Sequence, residues 1–277
     1  MNIHQAHTYY VQGGLYELSR KMEEHFVNAG GEIRFKSLVK RIDFDEMQKI
    51  FTLTDSKGRT YQTKRVISNA TIWDTLTLFG NVPKRLRRKI ITASDRPQGT
   101  RWGALMLTGV VEDVLDDGGS LYHQFHTQEG SLFLSLSHRD DRIRSPEGWR
   151  TISVSSHEKN PERWLAMDNE LYETEQLAAL ERFDHVLTKF LPGYRHAKKL
   201  SLEMGTPRTF SFYTHRTNGW VGGIAHSVKN WMPTWQSNVT PVHEFYLVGD
   251  TVFPGQGTPA VIQSAINLCD RIAPHKK

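Results

Sequence analysis

Residues 245–272 constrain the fold more than any other part of the chain; they read FYLVGDTVFPGQGTPAVIQSAINLCDRI. The apolar beginning, residues 245–248, predicts a short buried strand, and Asp250 follows at the carboxyl end of that strand. Thr258 followed by Pro259 predicts a helix with a hydroxyl N-cap and a proline in its first position. We therefore expect a carboxylate at a strand tip, close in sequence to the N-terminus of a helix.

The first turn of this helix suits a ligand that is negatively charged or rich in oxygen. Pro259, Ala260 and Val261 carry small or apolar side chains, so a ligand can approach the free backbone N–H groups closely. The positive end of a helix also stabilises negative charge, by about 0.3 to 1 kcal/mol. Reduced flavin, which is flat and anionic, fits this description. The alternative is that residues 249–257 form an ordinary connecting loop, which Asp250 caps.

The string YLVGDTVFPGQGTPAVIQSA resembles the C-terminal flavin motif of the carotenoid desaturase and carotene isomerase family of FAD-dependent oxidoreductases. The resemblance implies that Asp250, with Gly249 before it, holds the ribityl chain of FAD. It also implies that residues 258–261 lie against the pyrimidine edge of the isoalloxazine ring, with Gly257 immediately before them. These residues form the predicted cofactor site.

A second resemblance to the same family lies in YYVQGGLYELSRKMEEHFVNAGGEIRFKSLVKRI, near the N-terminus. Apolar residues recur there at spacings of three and four, which predicts one face of a helix that ends at a glycine pair: Leu15, Leu18, Met22 and Phe26. Two strands are predicted next, over residues 32–35 and 39–44. The resemblance implies that the backbone of Val39 reaches the adenine side of FAD.

Five residues are predicted to contribute to a substrate site: Gly13, Gly14, Tyr213, His215 and Gly222. Four of them have an alternative explanation. For the glycine pair near the N-terminus, the alternative is that it only permits a tight turn. Tyr213 and His215 are also compatible with core or surface roles. We assign no catalytic acid or base, because in flavoenzymes the cofactor carries the chemistry and the protein supplies position and a dry channel.

One expected motif is missing from the sequence. Enzymes of this family begin with a strand, a G-x-G-x-x-G turn and a helix whose N-terminus binds the pyrophosphate of the dinucleotide, and no such motif occurs here. The chain therefore resembles the C-terminal part of a longer enzyme, in which the FAD site is incomplete. A separate N-terminal FAD-binding polypeptide is the partner that this implies.

The predicted fold class is α/β with α+β character, in two parts. The resemblance implies that residues 1–70 and 241–277 belong to a glutathione-reductase-like FAD-binding domain, and that residues 71–240 form a substrate domain. Alternating patterns between residues 101 and 154 predict an antiparallel sheet, and helical spacings over residues 161–191 predict one long or two shorter helices against it.

Composition excludes several classes of protein. The 35 basic and 30 acidic residues leave a net charge of +5, which does not indicate a nucleic-acid partner. The single cysteine excludes an internal disulfide, and no apolar run reaches the ~18 residues that span a bilayer. We expect a cytoplasmic protein. The basic, amphipathic residues 82–93 predict either peripheral contact with the inner face of the membrane or a solvated helix over the core.

The predicted function is FAD-dependent desaturation of a long, hydrophobic, carotenoid-like polyene. Two alternatives remain open: a carotene cis-trans isomerase on the same flavin scaffold, and a non-catalytic remnant or accessory subunit that cannot hold FAD alone. Metal chemistry is not expected, because the pairs His4–His7 and His123–His126 have no third ligand at a metal-site spacing.

Overall fold

The computed structural model describes residues 9–86, 101–128, 130–224 and 236–273. Its helices are α1 (Leu15–Asn28), α2 (Ile72–Leu78), α3 (Pro161–Ala166), α4 (Asn169–Phe190), α5 (Pro207–Thr214) and α6 (Thr258–Ile272). Its strands are β1 (Val39–Asp45), β2 (Ile50–Asp55), β3 (Thr60–Thr63), β4 (Val66–Ser68), β5 (Gly103–Glu112), β6 (Tyr122–Thr127), β7 (Gly130–Leu136), β8 (Trp149–Glu158), β9 (Lys199–Gly205) and β10 (Phe245–Leu247). The mixture of helix and sheet confirms the predicted fold class.

The chain divides into two compact units, each assembled from separate segments. The first combines Met1–Arg34, Ala104–Glu158 and Ala166–Thr206, and the second combines Phe35–Gly103, Lys159–Leu165 and Pro207–Lys277. These segments do not follow the expected boundaries at residues 70 and 240, since α1 is grouped with the large sheet and α5 with the C-terminal helix. The assignment of a cofactor domain and a substrate domain stays a prediction.

The first unit is built on a five-stranded sheet in the order β6-β7-β8-β5-β9. The pairs that define its register are antiparallel, as predicted for residues 101–154; Leu134 lies opposite Val154, and Leu107 lies opposite Met204. The edge strand β9 was not predicted. The helical pattern after the sheet forms two helices, α3 and α4, rather than a single long one.

The two faces of this sheet differ because side chains alternate along each strand. One face is apolar and buried, with Leu107, Leu134 and Val154 fully covered. Helix α4 contributes buried apolar residues of its own, among them Phe183, and the Gln176 side chain donates to the backbone carbonyl of Met204 on β9 at 2.6 Å. The opposite face carries half-exposed or exposed side chains.

The second unit contains two small sheets. Strands β1, β2 and β3 form an antiparallel sheet, and β10 pairs with β4 in parallel, with Phe245 opposite Val66. A common apolar cluster supports both sheets and includes Ile42, Phe51 and Phe245, all almost completely buried.

The N-terminal segment that resembles the family forms the predicted helix and one of its two predicted strands. Helix α1 forms as predicted, but none of its residues is buried, and Leu15 and Met22 are 62% and 56% exposed. The strand predicted over residues 32–35 is wrong. The chain turns there, and Lys36 adopts a φ of 54°, which an extended strand cannot contain. The strand predicted over residues 39–44 is confirmed as β1.

Candidate functional site

The segment from β10 to α6 forms the strand, loop and helix that the sequence predicts. Phe245 and Leu247 are buried, and Leu247 pairs with Ser68 of β4. Gly249 follows with a φ of 105°, and a Cβ at this position would lie 2.5 Å from Oδ1 of Asn69. The turn after the strand therefore requires glycine, for both its conformation and its close packing.

Asp250 is held by a basic side chain. The Nη1 atom of Arg216 donates to Oδ2 of Asp250 at 2.6 Å, and the two side chains are 26% and 13% exposed. The same nitrogen donates to the backbone carbonyl of Trp220 at 3.3 Å. Gly223 lies so close that a Cβ on it would be 2.0 Å from the Asp250 carbonyl oxygen. The carboxylate thus has a defined orientation and is still partly accessible.

The loop that presents Arg216 is fixed from α2. Thr217 donates its backbone N–H to Oδ1 of Asp74 at 3.2 Å, and its hydroxyl donates to the same oxygen. Asp74 lies in the first turn of α2, where its N–H donates to the N-cap hydroxyl of Thr71. Next to Arg216, His215 has a φ of 55°, a conformation that costs a non-glycine residue roughly 1–2 kcal/mol.

The N-terminus of α6 is open. Gly257 is the N-cap, with a φ of 92° and no side-chain capping bond, so the prediction that Thr258 is the N-cap was wrong by one residue. The physical reason is the left-handed backbone of Gly257, which glycine adopts without strain. Gly257, Thr258 and Pro259 are exposed, and the N–H of Val261 makes the first intrahelical bond, to the carbonyl of Gly257 at 2.9 Å.

Space beside this helix end is available to a ligand. A Cβ on Gly257 would meet no described atom within 4 Å. Ala260 is half-buried, and its N–H precedes the first intrahelical bond. Gly222 approaches the same loop, since a Cβ on it would lie 2.3 Å from Oε1 of Gln256. Gly222, Asp250 and the start of α6 thus belong to connected segments of the second unit.

The other predicted residues of the second unit lie elsewhere. Val39 begins β1, opposite Asp55, and is half-buried. Tyr213 is 76% exposed at the end of α5, where its ring contacts Phe212 edge-to-face with centroids 5.0 Å apart. His215 is exposed, directly before the arginine that holds Asp250. The roles of these residues stay predictions.

A pair of indole side chains, for which the sequence predicts no site, includes Trp220 at the end of the Arg216 loop. Trp220 is 7% exposed and meets Trp73 edge-to-face with centroids 5.4 Å apart. The Arg101 guanidinium lies 4.2 Å from the Trp220 ring centroid, and the indole N–H donates to Glu162 Oε1 at 2.9 Å. This burial indicates a supporting role, which attractive cation–π contacts strengthen.

In the first unit, the predicted glycines Gly13 and Gly14 lie on a strap of residues 9–15 that Asp141 anchors. Asp141 Oδ2 accepts from the hydroxyl of Tyr10 at 2.6 Å and from the N–H of Gly13 at 2.7 Å. Burial by itself favours the neutral acid, but these hydrogen bonds, with those from the backbone N–H groups of Ile143 and Arg144, outweigh it and lower the pKa of Asp141.

The strap forms the edge of an open cavity of about 720 Å³ on the exposed face of the large sheet. Gly14 belongs to its lining. With a φ of 85°, a Cβ on Gly14 would lie 2.2 Å from Nη1 of Arg144. The strap thus passes close to a guanidinium at the cavity wall.

Two expected absences concern metals and membranes. Among the described residues, no cluster of three or more His, Cys, Asp or Glu side chains is arranged to hold a metal ion. His123 and His126 contact Ser120 and Ser131 respectively. No helix in the described ranges has the length and apolar character needed to cross a bilayer. Most of the predicted surface helix at residues 82–93 lies outside the described residues, which end at residue 86 in this region.

Comparisons with known proteins identify relatives along almost the entire chain. No family model matches. The prolycopene isomerase of Daucus carota is 28% identical over 275 residues, which cover 95% of this chain and 44% of that protein. The chloroplastic prolycopene isomerase of Arabidopsis thaliana is 29% identical over 278 residues, covering 95% of this chain and 45% of the relative. The chain therefore spans about half the length of these curated relatives.

Solved structures share the fold at low sequence identity. An oxidoreductase from Methanosarcina mazei matches with a TM-score of 0.60 and 16% identity, over 94% of this chain and 55% of that one. Putrescine oxidase bound to putrescine matches with a TM-score of 0.59 and 12% identity, over 94% of this chain and 53% of that one.

Proposed function

We propose that this chain, which resembles the carotenoid desaturase and carotene isomerase family of FAD-dependent oxidoreductases along 95% of its length, forms part of a flavoenzyme that isomerises double bonds of a long polyene. The observation that carries this proposal is the similarity to prolycopene isomerases over 95% of the chain. It favours isomerisation, the alternative that the sequence left open, over desaturation. A non-catalytic role remains the competing proposal.

The residues at the start of α6 fit a flavin. The helix end is exposed, its first side chains are small or apolar, and the space beside Gly257 is open. Among the described residues, Arg216 is the partner of the Asp250 carboxylate, and it engages Oδ2. Oδ1 is thereby left to accept a hydrogen bond from a ribityl hydroxyl, as the family resemblance implies.

When bound, FAD would supply electron exchange with a conjugated chain, which dehydrogenation requires and which can lower the barrier to rotation about a polyene double bond. The chain's own residues act by binding and orienting. The N–H groups of Thr258 and Ala260 would donate to the anionic edge of the ring, in a field that favours negative charge. Asp250 would hold the ribityl chain, and Arg216 keeps the Asp250 carboxylate in place.

Product analysis tests the reaction. Flavin-loaded protein is incubated with a poly-cis polyene, with the flavin either oxidised or reduced, and products are separated by chromatography and weighed by mass spectrometry. A product of unchanged mass with altered cis-trans geometry is expected. A product lighter by two hydrogens would instead favour desaturation. Full flavin loading without any conversion would favour the non-catalytic alternative.

A further inference from the structure

The cavity of the first unit has a floor that is rich in hydroxyl groups. The sheet contributes Ser135 from β7 and Ser153 and Ser155 from β8 to its lining, and Thr108 and Ser201 join them from β5 and β9. These side chains share the face that α4 does not cover. The floor therefore offers several groups that can both donate and accept hydrogen bonds.

Two of the hydroxyls form a pair. Ser135 lies directly opposite Ser153 in the register of β7 and β8, so their Cβ atoms are about 4.5–5.5 Å apart. Among the residues that the structure describes, neither hydroxyl has a hydrogen-bond partner, and the same holds for Ser155. Thr151, in contrast, accepts from Arg144 at 3.0 Å. The serine pair is thus available to a ligand.

The strap above the floor is apolar or aromatic. It contributes Tyr9, Tyr10, Val11 and Leu15 to the same cavity. Because Asp141 accepts from both Tyr10 and Gly13, the strap is anchored at two points rather than loosely placed. The sheet adds Met106, Val110 and Phe133 beside the hydroxyls. The strap is therefore suited to a hydrocarbon, whereas the floor combines hydroxyls with apolar side chains and can hold an oxygen atom beside a hydrocarbon.

We propose that this cavity binds the oxygen-bearing end of a polyene, with the serine pair Ser135 and Ser153 hydrogen-bonded to a hydroxyl or carbonyl group of the ligand and the strap packed on the adjoining hydrocarbon. A pure hydrocarbon would leave the floor hydroxyls without partners when it displaces water, which opposes its binding. The cavity volume of about 720 Å³ lies within the range of ligand pockets, roughly 300–1,000 Å³. This inference rests on the polyene class of the proposed function.

A matched pair of probes tests the inference without any turnover. β-Carotene and zeaxanthin share one carbon skeleton and differ only in hydroxyl groups. Each is titrated into the full chain in detergent micelles, and binding is read from the shifted absorption and induced circular dichroism of the polyene. Zeaxanthin is expected to bind more tightly, by a factor of about 2 to 10 for each hydrogen bond formed.

Three variants test which residues cause the preference for zeaxanthin over β-carotene. The double variant Ser135→Ala with Ser153→Ala should abolish the difference between the probes. Ser131→Ala is the matched control, since Ser131 lies on the same strand but outside the cavity, where it contacts His126 at 2.9 Å; it should keep the difference. Leu15→Ala, at a residue that is 62% exposed, should lower the affinity for both probes equally, because it removes part of the apolar surface of the strap.

Two results would overturn the inference: equal affinity for both probes, which would show that the floor hydroxyls only face water, or binding of neither probe. A preference that survives the double serine variant would overturn it as well. The proposed function fails on different evidence, namely the absence of geometric isomers after incubation of flavin-loaded protein with a poly-cis polyene. The two failures are therefore distinguishable.

Discussion

The guanidinium of Arg216 and the carboxylate of Asp250 are joined by a hydrogen bond of 2.6 Å between Nη1 and Oδ2, across 34 positions of sequence. The sequence predicts that Asp250 binds the cofactor, but no sequence pattern indicates Arg216 as its partner. An ion pair with limited exposure is costly to break from one side, because the remaining charge loses its partner. Asp250 therefore has a structural role in addition to its proposed role toward FAD.

Asp250→Ala and Arg216→Gln separate these two roles. If Asp250 holds a ribityl hydroxyl, Asp250→Ala should lower FAD affinity about ten- to a hundredfold, since a hydrogen bond to a charged group contributes roughly 1.5–3 kcal/mol. Arg216→Gln breaks the same ion pair but keeps the carboxylate, so it should lower the melting temperature with a smaller effect on affinity. Flavin titration and thermal melting of both variants measure this, in protein reconstituted with a polypeptide that carries the G-x-G-x-x-G motif. Equal losses of stability with unchanged affinity would restrict Asp250 to a structural role.

The isolated chain should bind FAD weakly. The sequence has no G-x-G-x-x-G turn, and that turn with its helix provides much of the anchoring of a dinucleotide pyrophosphate. Absorbance of the purified chain near the flavin bands, before and after addition of FAD, gives the loading. Co-expression with a polypeptide that carries the motif from a relative should raise it. A yellow chain that is fully loaded on its own would contradict this prediction.

Asp141→Asn should destabilise the first unit, because the hydrogen bonds from Tyr10 and Gly13 are made to a charged carboxylate in the native protein. The expected loss is about 1.5–3 kcal/mol in the free energy of unfolding, measured by chemical denaturation. The adjacent Asp140, whose side chain is 87% exposed, supplies the control: Asp140→Asn should change stability little. A loss that is equal in both variants would contradict the anchoring role of Asp141.

The effect of Asp141 should also depend on pH. The pKa of Asp141 is lower in the folded protein than in the unfolded chain. Its contribution to the free energy of unfolding is therefore complete above the unfolded-state pKa of about 3.9, and it is lost as the pH falls through the folded-state pKa. The melting temperatures of the native chain and Asp141→Asn should therefore converge as the pH falls below about 4. A difference that stays constant through this range would show that the carboxylate charge is not involved.

Gly219→Ala should be more damaging than Gly58→Ala. Both glycines have a positive φ, 63° and 77°, so both substitutions incur the left-handed cost of roughly 1–2 kcal/mol. Only at Gly219 would the new Cβ also clash with backbone, 2.0 Å from the carbonyl oxygen of Pro207, whereas Gly58 has no described atom within 4 Å. Urea unfolding compares the two variants. Equal losses would indicate that the turn before Trp220 relaxes freely.

Local sequence patterns were sufficient to predict many of the helices and strands of this protein. The strand before Gly249, the helix after Gly257, the antiparallel strands between residues 101 and 154 and helix α1 all follow from periodicities of two or about 3.6 residues and from glycine and proline positions. These features depend on interactions between residues that are close in sequence, so the sequence alone is sufficient to predict them. The N-cap position failed by one residue because it depends on the backbone angle of Gly257, 92°.

Tertiary structure alone decided which distant residues meet. Tyr10 contacts Asp141 across 131 positions, and Arg216 reaches Asp250 across 34; no local pattern encodes either pairing. The cavity of the first unit likewise depends on which face of the sheet α4 covers, and on where the strap is anchored. The sequence by itself determined most of the elements and the family resemblance, but not the edge strand β9. Packing between remote segments determined the partners of the predicted site residues, because such contacts form only when the units fold.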